Sequence, residues 1–397
     1  MPGPTAESNL GPDAWPALGR RAFGRSPHVS AFTLGTMRAL DSPAQMEAVL
    51  RAALAAGINH IETAPAYGPA ESFLGQALAT LRQEGLEPPG GWLITSKVLP
   101  GGDLAASQAQ VRAIGQRLGT GRITSLAVHG LNLPEHLTWA IDGPGATLLR
   151  WAQGEGLAQQ VGFSSHGSNA LIEAALASGQ FQFCSLHLHV FDQTRLPLAR
   201  MALADGMGVM AISPADKGGR LYDPPAELLA DCAPFHPLEL AYRFLLDAGI
   251  STLTLGAAQP GDLAWAARLA APTGAGSQPG PEALKAALQG LATAASKRLG
   301  IERCGQCREC LPCPAQVPIP ELLRLRNLAV GHGMEAFASE RYNLIGRAGH
   351  WWEEVNAAAC ERCGACLPRC PLDLAIPDLL ADTHRRLAAA PKRRLWG

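Results

Sequence analysis

The chain has 397 residues, with 33 Lys and Arg set against 34 Asp and Glu, and 47% of it is hydrophobic. That length exceeds one ordinary core, so two domains are expected, one of them of barrel size. The balanced charge offers no general field for nucleic acid, no run of about 20 apolar residues is present to span a membrane, and the first residues lack the apolar stretch of an export signal.

Residues 1–20 are rich in Pro, Gly and Ala and are expected to be loose. Phe23 to Ser30 reads as a short hairpin. Strand candidates then recur at Phe32–Gly35, Asn59–Thr63, Trp92–Lys97, Ile123–His129, Gln160–Ser164, Phe181–His187, Val209–Ser213 and Thr252–Gly256. Segments of helical length lie between them, such as Ser42–Ala56, Ser72–Arg82 and Ser168–Ser178. Strands alternating with helices over about 240 residues predict an α/β fold, a (β/α)8 TIM barrel over residues 21–271. The alternative is a doubly wound open sheet. It would want a Gly-rich phosphate turn after the first strand, and Thr36-Met37-Arg38 offers none. Thr273–Gly280 is a linker by composition and Pro281–Leu299 a helix, so residues 272–300 read as linker and connecting helix.

Residues 301–397 are dominated by cysteine. The run Cys360-Glu-Arg-Cys363-Gly-Ala-Cys366-Leu-Pro-Arg-Cys370-Pro371 has the spacing with which bacterial ferredoxins hold a [4Fe–4S] cluster, the fourth cysteine serving the neighbouring cluster. An upstream echo, Cys304-Gly-Gln-Cys307-Arg-Glu-Cys310-Leu-Pro-Cys313-Pro314, is one residue shorter before its last cysteine. Two clusters are expected: one on Cys304, Cys307, Cys310 and Cys370, the other on Cys360, Cys363, Cys366 and Cys313. Disulfides and zinc are the alternatives. The first belongs to small secreted chains, and the second does not need three consecutive steps followed by Cys-Pro. Eight thiolates imply a reducing compartment, hence the cytoplasm. Each run leads into a repeated phrase, Ile319-Pro-Glu-Leu-Leu and Ile376-Pro-Asp-Leu-Leu, with proline in a first helical turn. A small α-helical ferredoxin-like domain, built as a two-fold repeat, is expected. Cys184 and Cys232 read as buried small apolar residues. The aromatic pair Trp351-Trp352 reads as packing.

Reactive groups of such barrels sit at the C-terminal ends of strands. Here strand two ends in Glu62-Thr63 and leads to Tyr67, strand three ends in Lys97 and strand four in His129. A tyrosine beside a lysine can serve as a general acid, with Lys97 expected to lower its pKa. Glu62 can anchor the lysine, and His129 can orient a substrate oxygen. The set suits carbonyl reduction or alcohol oxidation of a small molecule.

Gly57-Ile-Asn-His-Ile-Glu-Thr-Ala-Pro-Ala-Tyr-Gly68, Leu93-Ile-Thr-Ser-Lys97 and Leu126-Ala-Val-His129 resemble three signature strands of the aldo/keto reductases, and the cysteine domain resembles that of the ferredoxin-fused branch of that family. The resemblance covers roughly residues 20–270 for the barrel and implies Glu62, Tyr67, Lys97 and His129 as the catalytic set. Glu62 stands where the wider family has aspartate. The resemblance also implies NAD(P)H bound along strands five to eight, with Ser164, Ser165, Ser185, Ser213, Lys217, Gly256 and Ala257 as contacts. The stretch Gly256–Ala266 carries no lysine or arginine for a phosphate, so weak nicotinamide binding with little preference for NADPH over NADH is expected. A flavin has no specific residues here.

Two other readings stay open. His187-x-His189 with His166 could serve a metal-dependent hydrolase. Alternatively, the chain is an electron-transfer or partner-binding protein with an altered barrel, its basic tail Lys392-Arg393-Arg394 steering a redox partner.

Overall fold

The computed structural model describes residues 18–215, 221–270, 279–347 and 354–390. Residues 1–17, Lys217, most of the glycine-rich linker, Trp351-Trp352 and the basic tail lie outside the described residues. The chain divides into two compact units, 1–218 with 241–281, and 219–240 with 282–397.

The first unit is a closed parallel barrel with its strands in chain order. They are β1 (Phe32–Gly35), β2 (His60–Glu62), β3 (Leu93–Val98), β4 (Ile123–Val128), β5 (Ala158–Ser165), β6 (Phe183–His187), β7 (Gly208–Ile212) and β8 (Thr252–Gly256). β8 returns to β1 in the register Phe32↔Leu253 to Gly35↔Gly256, which excludes an open sheet. The strands fall where the sequence places them, their ends shifted by no more than two residues. Between and after them run α1 (Pro43–Ala55), α2 (Ala70–Gln83), α3 (Leu104–Leu118), α4 (Pro134–Ile141), α5 (Pro144–Gly154), α6 (Asn169–Ala177), α7 (Leu196–Ala204), α8 (Ala226–Asp231), α9 (Pro237–Asp247) and α10 (Ala264–Ala270). Several helix starts are written in the sequence. Ser42, Asp103 and Ser168 each accept a backbone N–H from the first turn of α1, α3 and α6, a cap worth about 1 kcal/mol.

The barrel is plugged at its N-terminal end. The segment around Phe23 is pinned by paired hydrogen bonds between Arg21 and Val29. The Phe23 ring lies 5.3 Å from the His60 ring and 5.1 Å from that of Phe183. Gly208 opens β7 beneath it, where a Cβ would meet the Phe23 ring at 2.4 Å. Above the plug, His60 bridges Thr33 and Thr95 at 2.8 Å on either ring nitrogen, and Thr33 meets Thr252 at 2.7 Å. Both imidazole nitrogens are thus satisfied with the ring neutral, and burial pushes its pKa down to about 3. With this end filled, only the C-terminal ends of the strands remain for chemistry.

The described part of the second unit is helical: α8 together with α11 (Pro281–Leu299), α12 (Ile319–His332), α13 (Glu335–Tyr342) and α14 (Ile376–Leu387). Leu322, Leu323, Leu325 and Leu328 of α12 form its buried stripe. Arg326, nearly fully buried in that stripe, is paired with Glu302 and Asp382, which relieves the cost of its burial. Arg298 of α11 binds Glu227 at 2.8 Å and Asp231 at 2.5 Å, tying in α8. Among the described residues no helix is long and apolar enough to cross a membrane.

Candidate active site and cysteine loops

The strand ends of β2, β3 and β4 bring three of the expected residues into one hydrogen-bonded group and set the fourth beside it. Lys97, buried, forms an ion pair with the Glu62 carboxylate and donates to the Tyr67 hydroxyl at 2.7 Å and the Thr63 carbonyl at 3.2 Å. Tyr67 donates to Glu62 Oε1 at 3.0 Å. The His129 ring stands edge-on to the Tyr67 ring with centroids 5.8 Å apart. The His129 backbone N–H donates to the Val98 carbonyl at 2.8 Å, which fixes the residue at the end of β4. Gly35, at the end of β1, leaves room for the Thr254 side chain beside the Glu62 carboxylate. A Cβ there would meet Thr254 at 2.8 Å and Glu62 Oε2 at 3.6 Å. A pocket of about 500 Å³ opens beside the group, lined by Lys97, His129, Pro65 and Ala66 and by the alanines of α3 at 106, 109 and 113.

One electrostatic expectation is reversed. Tyr67 is not lowered by its lysine. Burial raises it above its ordinary value, because a phenolate here would lose its water. Burial likewise pushes Lys97 well below the usual lysine range. His129 falls to about 2, chiefly through burial and then through the charges of Lys97 and His166. Tyr67 is therefore held as a phenol, the form that can release a proton to a substrate oxygen, and His129 is a neutral ring.

The two cysteine runs repeat the same pattern of left-handed residues, although the first is one residue shorter before its last cysteine. Gln306 and Arg308 in the first run, and Arg362 and Gly364 in the second, take positive φ of 60°, 70°, 55° and 76°. Left-handed residues interleaved with the cysteines turn successive N–H groups inward, a backbone arrangement that recurs around anions and Fe–S sites. Three residues past each final cysteine, Gln316 and Asp373 also take positive φ, their N–H groups returning to the carbonyls of Cys313 and Cys370 at 2.9 and 3.2 Å. Cys313, Cys360, Cys363 and Cys366 line one pocket. Cys304 lies within electrostatic reach of Cys307 and Cys370. Burial raises the thiols of Cys304, Cys310 and Cys366, Cys310 to about 12. A group that draws thiolates from such a site must bring its own positive charge, as iron does. The donor set and its backbone cradle fit that group.

Residues 31–227 match the aldo/keto reductase family, and residues 303–375 match the 4Fe-4S dicluster domain. The chain joins an aldo/keto reductase domain to a 4Fe–4S dicluster domain. Among solved structures it is similar to the holo form of an aldo-keto reductase from Bacillus halodurans, at 19% identity and a TM-score of 0.56, over 68% of this chain and 95% of that one. It is also similar to the Bombyx mori aldo-keto reductase in complex with NADP, at 20% identity and a TM-score of 0.55, over 70% and 94% of the two chains. At these identities the likeness is one of fold. Among curated proteins no match is found.

The other arc of the reductase barrel is built differently. Ser164 accepts the Gly130 N–H at 3.0 Å. Ser165 donates to the Leu131 carbonyl at 2.5 Å and accepts from Gly167 at 3.0 Å. Both hydroxyls are occupied in holding the loop after β4 and the turn after β5. Ser185 is fully buried, and among the described residues its hydroxyl has no hydrogen-bond partner. Ser213 takes a positive φ of 55°, a strained backbone for a serine at the end of β7. Gly256 is exposed, and Ala257 is buried.

Two residues at the β8 end escaped sequence reasoning. Asp262 accepts the N–H groups of Ala258 and Gln259 at 2.8 and 3.3 Å, so a carboxylate of the chain covers amides that a phosphate would need. Arg38, from the loop after β1, reaches the Gly256 carbonyl at 3.4 Å. It supplies the basic side chain that the sequence after β8 lacks. This end therefore offers a phosphate one basic side chain, Arg38, while the Ala258 and Gln259 amides are already taken by Asp262. As for the three histidines, His166 and His187 meet through their Nε2 atoms at 3.3 Å, whereas His189 lies past the end of β6 in a bridge with Asp192. Among the described residues no three His, Cys, Asp or Glu side chains are placed to hold a single metal ion.

Proposed function

We propose that this oxidoreductase interconverts a small carbonyl compound and its alcohol at the barrel mouth and exchanges the electrons through two 4Fe–4S clusters. The observation that carries the reading is the continuous Glu62–Lys97–Tyr67 hydrogen-bond chain beside a pocket that His129 also lines. Reduction of the carbonyl takes a hydride at carbon and a proton at oxygen: a nicotinamide, when bound, would supply the hydride and the clusters the two electrons that restore it, while Tyr67 gives its phenolic proton to the oxygen. Lys97, already donating to the Tyr67 oxygen, stabilises the charge left there, and Glu62 holds Lys97 in place. His129, neutral, offers a ring nitrogen to orient the same oxygen. Burial of Lys97 and Glu62 strengthens their pairing.

The cysteines would hold the clusters in crossed sets, Cys304, Cys307 and Cys310 with Cys370, and Cys360, Cys363 and Cys366 with Cys313. The reach between Cys304 and Cys370, and the pocket shared by Cys313 with the second run, support that grouping. When bound, such clusters carry electrons singly, at potentials between about −700 and +450 mV. A redox partner protein in a reducing compartment would deliver or remove those electrons. The relatives include a holo form and an NADP complex. In this chain nicotinamide is expected to bind weakly and with little preference for NADPH over NADH, because Asp262 covers the β8-end amides. That closed end also favours a second reading, an electron-transfer protein with an altered barrel.

Anaerobic purification tests the cluster reading: about eight iron and eight sulfide per chain are expected, and stoichiometric zinc without acid-labile sulfide would end it. Calorimetric titration of NADPH and NADH into the iron-loaded chain tests the nucleotide reading, which submicromolar NADPH affinity with strong discrimination would overturn.

A further inference from the structure

The two cysteine loops place left-handed residues at matching positions around their first three cysteines but treat the side chain there differently. Gln306 and Arg362 occupy the same place in the repeat, between the first and second cysteines, with φ of 60° and 55°. The Gln306 side chain turns onto the cysteine, its Nε2 donating to Cys304 Sγ at 3.3 Å. The backbone N–H of Gln306 is aimed at the same sulfur. Arg362 turns away. Its guanidinium is held by Asp378 at 2.5 Å and by the Pro377 carbonyl at 3.5 Å, both in the first turn of α14.

The cause lies in the repeat itself. The position of Asp378 in α14 corresponds to Glu321 in α12, and Glu321 is bound by Arg324 of its own helix at 3.0 Å. In the second half an acid captures the loop residue. In the first half the loop residue is a neutral amide and the acid is engaged within its helix. Cys304 is also anchored from behind, its N–H and C=O both bonded to the Asn327 side chain at 3.3 and 2.8 Å. The sulfur that receives the Gln306 amide is therefore held in register with it.

We propose that Gln306 sets the potential of the cluster held by Cys304, Cys307, Cys310 and Cys370, making that cluster easier to reduce than it would be without the amide. The inference rests on the cluster reading above. Reduction adds an electron to an already negative group of thiolates and sulfides. A donor aimed at one thiolate stabilises the more negative state, so the potential rises; hydrogen bonds to the sulfurs are among the factors that set it. The amide acts through the sulfur and is a positioning residue, not a catalytic one.

The test is a redox titration of the anaerobic full-length chain, followed by the visible spectrum and by electron paramagnetic resonance. Gln306→Met keeps the length of the side chain and removes the donor; Gln306→Glu replaces the donor with an acceptor. One of two titrating components should move to more negative potential, further for Glu than for Met, with iron and sulfide content unchanged. Arg362→Met should leave that component where it is in the wild type. Unmoved potentials in both Gln306 variants, or equal movement of both components, would overturn the assignment. Wild-type protein that holds zinc and no sulfide would overturn the cluster reading itself, and this assignment with it.

Discussion

The two arcs of the barrel mouth use the same kinds of polar residue to opposite ends. Over β2 to β4, Glu62, Tyr67, Lys97 and His129 are turned to one another at the edge of a pocket. Over β5 to β8, the serines at 164 and 165 hold neighbouring loops, and Asp262 covers the amides beyond Ala257. In one arc the polar groups bond to one another beside a pocket, and in the other Ser164, Ser165 and Asp262 bond to the scaffold.

The largest effect expected from this contrast is at Tyr67. Tyr67→Phe removes one hydroxyl, so folding and iron content should persist while carbonyl turnover falls by about 10²-fold or more. An undiminished rate in that variant would sink the proton-donor role. Lys97→Met is a less clean probe. It leaves Glu62 buried without its cation, at a cost of about 3–5 kcal/mol, and thermal unfolding should register that loss.

The pH profile sharpens the contrast next. His129, held near 2, should contribute no limb around the ordinary histidine value of 6.5. Lys97 is depressed, so its charge is lost at a lower pH than for an exposed lysine. The alkaline fall in turnover should then begin below 10.5. A limb near 6.5 that disappears in His129→Gln would show a charged histidine in the mechanism.

The scaffold arc should respond in stability instead. Ser165→Ala leaves the Leu131 carbonyl and the Gly167 N–H without their partner and should cost about 1–3 kcal/mol in denaturant unfolding, with turnover unchanged once folded. The smallest effect is expected at Ser185. Its hydroxyl has no partner among the described residues, so Ser185→Ala should leave stability within about 0.5 kcal/mol of wild type. A large loss of nucleotide affinity in Ser185→Ala would show that this arc is less closed than its hydrogen bonds indicate.

Much of this was legible in the chain, for identifiable reasons. The strands are short apolar runs spaced by helical segments, and that spacing places Glu62, Lys97 and His129 at adjacent strand ends. The cysteine runs announce themselves by spacing, and the repeated Ile-Pro-acid phrase announces the helices after them. What was hidden depends on contacts between distant residues or on backbone geometry. Arg38 reaches Gly256 across 218 positions, so no reading of the segment after β8 could find it. Asp262 was visible as a residue but not as a cap on two amides. The direction of the Tyr67 shift follows from burial, which residue types at strand ends do not reveal. Gln306 left one faint signal, an amide where the second run has arginine, and its meaning needed the turn of the side chain onto Cys304.

The central claim is that carbonyl chemistry at Tyr67 draws on electrons held by the cysteine domain. The most direct measurement reduces the anaerobic full-length protein with dithionite, removes the excess, adds benzaldehyde with a trace of NADH, and follows the visible spectrum while assaying benzyl alcohol. The account predicts that the clusters reoxidise as alcohol forms, in a ratio of about two electrons per alcohol, and that both processes slow together by about 10²-fold in Tyr67→Phe. Clusters that stay reduced while alcohol forms, or that reoxidise equally fast in Tyr67→Phe, would contradict it.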